Sequence, residues 1–302
     1  MNKKSIAVIG AGKWGQALHF ALSQKQKCFI TSRTKKEIEN FVDLEIALNC
    51  EYLVIAIPAQ EIRAWLKKNF IFKGQKVLVA SKGIEASSGE FLNEIYADFV
   101  PEDNVGFISG PSFAAEVIQG LPCALVINST SKKLYDEFAV FFPTFIKTYY
   151  SEDVIGAEVA GAYKNVLAIA SGICEGLYLG KNAQASLIAR GLVEMERFGN
   201  YFGAETSSFL GLSGAGDLFL TASSTMSRNY RVGLGLAQNK PIDDILKDIG
   251  EVAEGIKTAD AIYNLSNEHD IYTPIAKEVK LILDGKSPKD SLRDLLKHWL
   301  FR

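Results

Sequence analysis

The stretch SIAVIGAGKWGQAL, Ser5 to Leu18, limits the possible folds more than any other part of the chain. Four apolar residues, three spaced glycines and a helical pattern follow one another, which reads as strand, tight turn and helix. Gly10, Gly12 and Gly15 form G-x-G-x-x-G. A side chain at the first two positions would block the turn and the approach of the backbone to a pyrophosphate, and the third glycine lets helix and strand pack closely. The new helix aims its free N–H groups and the positive end of its dipole at the phosphates. A nucleotide-triphosphate loop is excluded, because Gly10 to Gly15 has the wrong spacing and Lys13 is followed by Trp14 instead of a magnesium-binding Ser or Thr. The reading is a dinucleotide site, against the alternative of an ordinary strand-to-helix turn.

The surroundings of this motif narrow the class further. At 302 residues with 48% hydrophobic and 23% charged residues, the chain has material for one or two domains with substantial cores. Its formal net charge of -2 gives no bulk attraction to nucleic acid or anionic membrane, so any anion must be held locally. Cys28, Cys50, Cys123 and Cys174 lie far apart without a C-x-x-C pair, which argues against a metal site and for reduced, buried thiols. The two lysines before the first apolar patch imitate a signal peptide, but Lys13 and Trp14 interrupt the patch too early. Phe138 to Ile146, the most apolar window elsewhere, contains Pro143 and is far shorter than the ~18 residues needed to span a bilayer. A cytoplasmic protein with no integral membrane segment is expected.

Cys28 to Ser32 completes a strand, helix, strand unit. An acid about 20 residues past the glycines suits the ribose hydroxyls of NAD, whereas Arg suits a 2′-phosphate. Here Ser32, Arg33, Thr34, Lys35 and Lys36 precede the first acid, Glu37. This predicts a preference for NADPH over NADH with Arg33 on the 2′-phosphate, the other reading being a solvated basic turn. Strand-like runs follow at Tyr52 to Ile57, Lys76 to Ala80, Val105 to Ser109 and Cys123 to Ile127, separated by helical stretches such as Glu61 to Asn69 and Glu90 to Phe99. Nearly continuous apolar strands alternating with helices predict an α/β fold with a parallel sheet covered on both faces. Ligands bind at the carboxyl ends of such strands, so Pro58 to Gln60, Ser81 to Glu85 (SKGIE) and Ser109 to Ser112 (SGPS) should line the crevice.

Near residue 150 the strand pattern gives way to long helical periodicities, which divides the chain into residues 1–150 and 151–302. Val154 to Leu177 is dense in Gly, Ala and Ser and predicts a buried central helix. Lys164 lies in its middle, and its helical neighbours Ala160, Gly161, Leu167 and Ala168 include no acid. Such a lysine either snorkels to water or faces a polar cavity, where it can serve as an acid or base. A second helix is expected from about Asn182 to Phe202, in which Arg190 and Arg197 pair with Glu194. Asp217 follows a flexible glycine-rich turn, GLSGAGDL, and starts a helix whose dipole it complements. Ser227, Arg228 and Asn229 offer a hydroxyl, a guanidinium fork and an amide, a donor set for a phosphate, or else a turn with one exposed Arg. Amphipathic helices and a mixed-charge end fill Ile242 to Arg302. His19, His269 and His298 all lie away from these loops, so lysine is the candidate proton donor.

Seven motifs now stand in one order: GAGKWGQAL, SKGIE, SGPSFAAEVIQGLP, EVAGAYKNVLAIASGICEGL, GLSGAGDL, SRN and VAEGIKTA. In order and spacing the chain resembles bacterial NAD(P)-dependent glycerol-3-phosphate dehydrogenase over nearly its whole length. The resemblance implies reversible reduction of dihydroxyacetone phosphate to sn-glycerol 3-phosphate for phospholipid synthesis, in a cytoplasmic and commonly dimeric enzyme. It also implies a Rossmann-type doubly wound parallel sheet followed by an all-helical domain. Carried over by position, it implies that Lys164 is the catalytic lysine and that Lys82 of SKGIE, a second catalytic candidate, contacts substrate and cofactor. Gly110, Ser112, Asp217, Ser227, Arg228 and Asn229 match substrate-binding positions. Trp14, Arg33, Ala114, Arg228, Val252 and Glu254 match cofactor positions, joining Gly10, Gly12, Lys13 and Gly15 of the loop. Lys13 stands where the family often has Ser, and GLSGAGDL replaces the commoner GLAGLGDL. Two rivals are a β-hydroxyacid or sugar-acid dehydrogenase, which must recognise a carboxylate, and a non-catalytic dinucleotide sensor in which Lys164 is structural.

Overall fold

The computed structural model describes residues 4–250 and 253–298. The chain forms two compact units, Met1–Lys82 with Phe91–Glu158, and Gly83–Glu90 with Val159–Arg302.

Among the described residues the first unit is built on seven strands: β1 Ile6–Ile9, β2 Cys28–Thr31, β3 Tyr52–Ile55, β4 Lys76–Val79, β5 Val105–Ser109, β6 Cys123–Asn128 and β7 Ile146–Ser151. Its helices are α1 Lys13–Ser23, α2 Leu44–Leu48, α3 Ile62–Asn69, α4 Leu92–Ala97, α5 Ala114–Ile118 and α6 Lys132–Ala139. The strand order is β2-β1-β3-β4-β5-β6-β7, and every neighbouring pair is parallel except β5 and β6. Alternation along each strand sends side chains to opposite faces. Ile6, Val8, Tyr52, Val54 and Leu78 pack with Ala17, Leu18, Ala21 and Leu22 of α1 and Leu134 and Phe138 of α6. Ala7, Ile9, Leu53, Ile55, Val77 and Val79 pack with Ile62 and Leu66 of α3 and Leu92, Ile95 and Tyr96 of α4. Each fully buried aliphatic side chain contributes about 1.5–3 kcal/mol. The two faces thus explain the unbroken apolar runs read in the sequence.

Two features depart from the expected sheet. The SGPS turn, with Gly110 at φ 107°, and the five-residue α5 return the chain so that β6 runs antiparallel to β5. A full crossover helix would have been needed to keep it parallel. β7 was absent from the apolar runs because only Ile146 of its six residues is fully buried, the pattern of a strand at the sheet edge. The order reverses between β1 and β3, since β2 lies on one side of β1 and β3 on the other. That is the switch point at which doubly wound sheets bind ligands, and Gly10 leaves β1 there.

The second unit is helical. Its long elements are α7 Val154–Gly176, whose first five residues belong to the first unit, and α8 Gly180–Tyr201. There follow α9 Thr206–Leu210, a π-helical turn Leu212–Gly216, α10 Asp217–Ala222, α11 Arg228–Ala237, α12 Ile242–Ile249, α13 Glu254–Glu268, α14 Pro274–Leu283 and α15 Pro288–His298. The glycine-rich GLSGAGDL is therefore a wound turn that runs straight into α10, not an open flexible loop. A Cβ at Gly172 of α7 would collide with the Tyr230 carbonyl, and one at Gly233 of α11 with the Ile169 carbonyl. Small residues on both helices are what allow that crossing.

Contrary to expectation, among the described residues Glu194 makes no direct salt bridge with Arg190 or Arg197, although the Arg197 charge is near enough to favour its carboxylate. It is buried and accepts hydrogen bonds from the Ile275 and Ala276 N–H groups at 2.8 Å and from the Tyr163 hydroxyl at 2.8 Å. It satisfies the open donors at the start of α14, whose first residue is Pro274. Arg197 donates instead to the Tyr272 carbonyl at 2.7 Å and lies over that ring. No helix among the described residues is long and apolar enough to cross a membrane.

Candidate active site

In the first unit, the glycine loop sets three different steric demands. Gly10 has φ 109°, and a Cβ on it would collide with the Ala56 carbonyl at the end of β3. A Cβ on Gly15 would collide with the Gly10 carbonyl, so the turn closes only without one. Gly12 is different: it has an ordinary φ of -70° and nothing lies within 4 Å of its would-be Cβ. The protein itself does not require glycine at position 12. Free space there, at the N-cap of α1 with its open N–H groups, is what a pyrophosphate approaching the backbone needs. The Trp14 indole nitrogen is buried with no hydrogen-bond partner among the described residues, a polar atom left for a bound group. These features fit a dinucleotide.

Arg33 is exposed after β2 with no partner among the described residues. Lys36, which the sequence reading left in the basic run, donates from Nζ to the Ala11 carbonyl at 2.6 Å and so brings a positive charge to the glycine loop. Its only sequence signal was membership of that run. Lys13 is exposed at the start of α1. Lys82, half-buried after β4, donates to the Gly110 carbonyl at 3.4 Å, and the Ser112 hydroxyl donates to the same oxygen at 3.2 Å. The SKGIE lysine and the SGPS turn are thus together, next to Ala114 at the start of α5.

In the second unit, Lys164 is 8% exposed and its Nζ lies 2.6 Å from Asp217 Oδ1. The acid missing from α7 is supplied by the first residue of α10, which is 1% exposed. A buried ammonium and carboxylate are tolerable only as such a pair. Asp217 therefore does more than complement a helix dipole. Thr221, one turn on, lies 3.4 Å from both Lys164 Nζ and Asp217 Oδ1 and completes a buried polar cluster the sequence reading missed. Behind it, the Ser171 hydroxyl of α7 donates to the Ala222 carbonyl at 2.6 Å and accepts from Gln184 at 3.0 Å, which fixes the far end of α10.

The SRN residues occupy the start of α11. The Ser227 hydroxyl accepts from the Tyr230 N–H at 3.3 Å as its N-cap, Arg228 is exposed, and Asn229 is buried with its amide engaged by protein groups. Of the expected donor trio, only Arg228 turns its side chain outward. Glu254 is half-buried at the start of α13, and Val252 lies outside the described residues. No group of three or more His, Cys, Asp and Glu side chains among the described residues is placed to hold a metal ion.

Comparison with known proteins adds what geometry alone does not. Residues 31–135 match the family model described as NAD-dependent glycerol-3-phosphate dehydrogenase N-terminus, and residues 153–293 match the corresponding C-terminus. The chain is 64% identical over 291 residues to a protein of Sulfurimonas denitrificans named glycerol-3-phosphate dehydrogenase [NAD(P)+], covering 96% of this chain and 98% of that one. It is 61% identical to a Campylobacter jejuni protein of the same name over 292 residues, with 97% and 98% covered. The crystal structure of glycerol-3-phosphate dehydrogenase from Coxiella burnetii superposes with a TM-score of 0.89 at 31% identity, covering 97% of this chain and 99% of that one. With both halves matched and such identity sustained from end to end, the chain belongs to the NAD-dependent glycerol-3-phosphate dehydrogenase family.

Proposed function

We propose that this enzyme reduces dihydroxyacetone phosphate to sn-glycerol 3-phosphate, reversibly, with NADPH preferred over NADH, and that Lys164 is its proton donor. The observation that carries the assignment of roles is the buried Lys164–Asp217 pair, an ammonium held in one place by a carboxylate 2.6 Å away. The Gly10, Gly12 and Gly15 backbone, Lys13, Trp14, Arg33 and Ala114 hold the cofactor, and the family resemblance adds Arg228, Val252 and Glu254 to the cofactor residues. When bound, the nicotinamide supplies the hydride for the ketone carbon.

The residues of the chain do the rest. As the carbonyl carbon gains hydride, its oxygen gains negative charge, which Lys164 Nζ stabilises and then neutralises by giving up a proton. In the reverse direction the same amine takes the alcohol proton. Asp217 and Thr221 keep the ammonium aimed, and Lys82, beside Gly110 and Ser112, adds a second positive charge for substrate and cofactor. Arg228, presented by the Ser227-capped end of α11 next to Asn229, holds the substrate phosphate. That remote contact orients the ketone and supplies binding energy away from the reacting carbon.

Mixing the protein with NADPH and dihydroxyacetone phosphate tests this reading directly. Loss of the reduced-nicotinamide absorbance is expected, faster with NADPH than with NADH, and the preference should collapse in Arg33→Ala. Turnover of a hydroxy acid or its keto form in place of the phosphorylated ketone would point to the carboxylate-reading relatives, and inertness toward both to a sensor.

A cytoplasmic homodimer serving phospholipid synthesis completes the proposal. It is supported by the family resemblance and by exposed apolar side chains on the helical unit, Leu210 and Phe219 among them. A solution mass equal to one 33.1 kDa chain would contradict the dimer.

A further inference from the structure

Two buried asparagines in the helical unit, Asn229 of the SRN segment and Asn165, to which no role is given above, form a directed chain. Asn165 follows Lys164 on α7 and is 6% exposed, and Asn229 follows Arg228 on α11 and is 7% exposed. Asn229 Nδ2 donates to Asn165 Oδ1 at 2.9 Å, the Gly255 N–H donates to Asn229 Oδ1 at 3.1 Å, and Asn165 Nδ2 donates to the Gly161 carbonyl at 3.2 Å. A backbone N–H can only donate and a carbonyl can only accept, so the two ends of the chain fix the orientation of both amides. Neither can flip without losing a bond. The packing is equally tight: a Cβ on Gly255 would stand 2.7 Å from Asn229 Oδ1 and 2.9 Å from the Asn165 carbonyl oxygen. The start of α13 is therefore seated on both asparagines.

Three segments meet in this chain: α7 immediately after Lys164, α11 immediately after Arg228, and α13 immediately after Glu254. We propose that Asn165 is a positioning residue that couples the cofactor segment at Glu254 to the phosphate-binding end of α11, with the Asn229 side chain as the link. The proposal rests on the roles assigned above to Arg228 and Glu254. Asn165 is the fixed point, anchored to its own helix through Gly161. Cofactor at Glu254 and phosphate at Arg228 favour the same placement of Asn229 between Asn165 and Gly255. Each ligand then raises the affinity for the other by the same factor.

Titration of the full chain with sn-glycerol 3-phosphate, with and without NADPH, measures this factor without turnover, because both ligands are reduced. In the unaltered protein NADPH should tighten glycerol 3-phosphate at least about fivefold. Asn165→Ala, which removes both the acceptor for Asn229 Nδ2 and the anchor to Gly161, should bring that ratio close to one. A merely structural role would lower the melting temperature and weaken both binary complexes while leaving the ratio unchanged. A ratio of one in the unaltered protein, or a ratio in Asn165→Ala equal to that of the unaltered protein, overturns the proposal. Should Asn165→Ala fail to fold, amide exchange in the unaltered protein decides: glycerol 3-phosphate alone should slow exchange at Gly255, and unchanged exchange overturns the coupling. Arg228→Ala separates the two levels. If it leaves glycerol 3-phosphate binding intact the phosphate assignment itself fails, whereas weakened binding with an unmoved ratio removes only the coupling.

Discussion

Two buried charges on one helix, Glu158 and Lys164, are handled in opposite ways. Lys164 has a carboxylate at 2.6 Å, while Glu158 accepts from backbone donors, the Asn93 N–H at 3.1 and 3.2 Å among them. Those bonds favour the charged carboxylate but do not offset its burial, which pushes the Glu158 carboxyl up to about 8 from 4.5. Burial likewise pushes Glu194 up to about 7, against the pull of its backbone donors. A folded-state value above the unfolded one means the folded protein keeps a proton that the unfolded chain has released. Stability is therefore greatest below about pH 4.5 as far as these groups are concerned, and falls as pH rises toward about 8. Glu158→Gln removes the larger part, so the decline of melting temperature across that interval should become shallower, with the Glu194 share remaining. An undiminished slope in the variant would show that Glu158 is already ionised in the folded protein.

At the scale of elements, the turn between β1 and α1 separates what the fold needs from what the ligand needs. Gly15→Ala places a methyl against the Gly10 carbonyl and should cost about 1–3 kcal/mol or more, read as a lower melting temperature. Gly12→Ala meets nothing within 4 Å and should leave stability within about 0.5 kcal/mol while weakening NADPH binding at least about tenfold. Full cofactor affinity in Gly12→Ala would move the pyrophosphate away from this turn. The sequence disclosed this element well, because strand, glycines and helix are contiguous and each demand is local. The same holds for β3, β4 and β5, whose two-faced burial leaves unbroken apolar runs. β7 escaped because an edge strand buries little, and the reversed direction of β6 because the sense of a strand is decided by its connection. Long-range partners escaped for a different reason. The Lys164 counter-ion lies 53 positions away on α10, Glu194 serves a helix that begins 80 positions later, and Asn229 reaches back 64 positions to Asn165. Spacing within a helix reports none of these, which is why Arg190 and Arg197 looked like its partners.

Across the whole molecule, the proposed chemistry is divided between two units with separate cores. The glycine loop, Arg33, Lys82 and the SGPS turn belong to the first unit, and Lys164, Asp217, Thr221 and Arg228 to the second. Lys164 and the glycine turn therefore belong to different units. Removing the lysine outright leaves Asp217 charged and buried, so Lys164→Arg is the companion that keeps the ion pair while replacing the amine with a group that does not give up its proton. The decisive measurement is kcat with dihydroxyacetone phosphate beside the NADPH dissociation constant, made on the same preparations of Lys164→Ala and Lys164→Arg. A fall in kcat of at least about a hundredfold is expected in both variants, with cofactor affinity nearly unchanged. A kcat within a factor of a few of the unaltered enzyme would remove Lys164 as the proton donor.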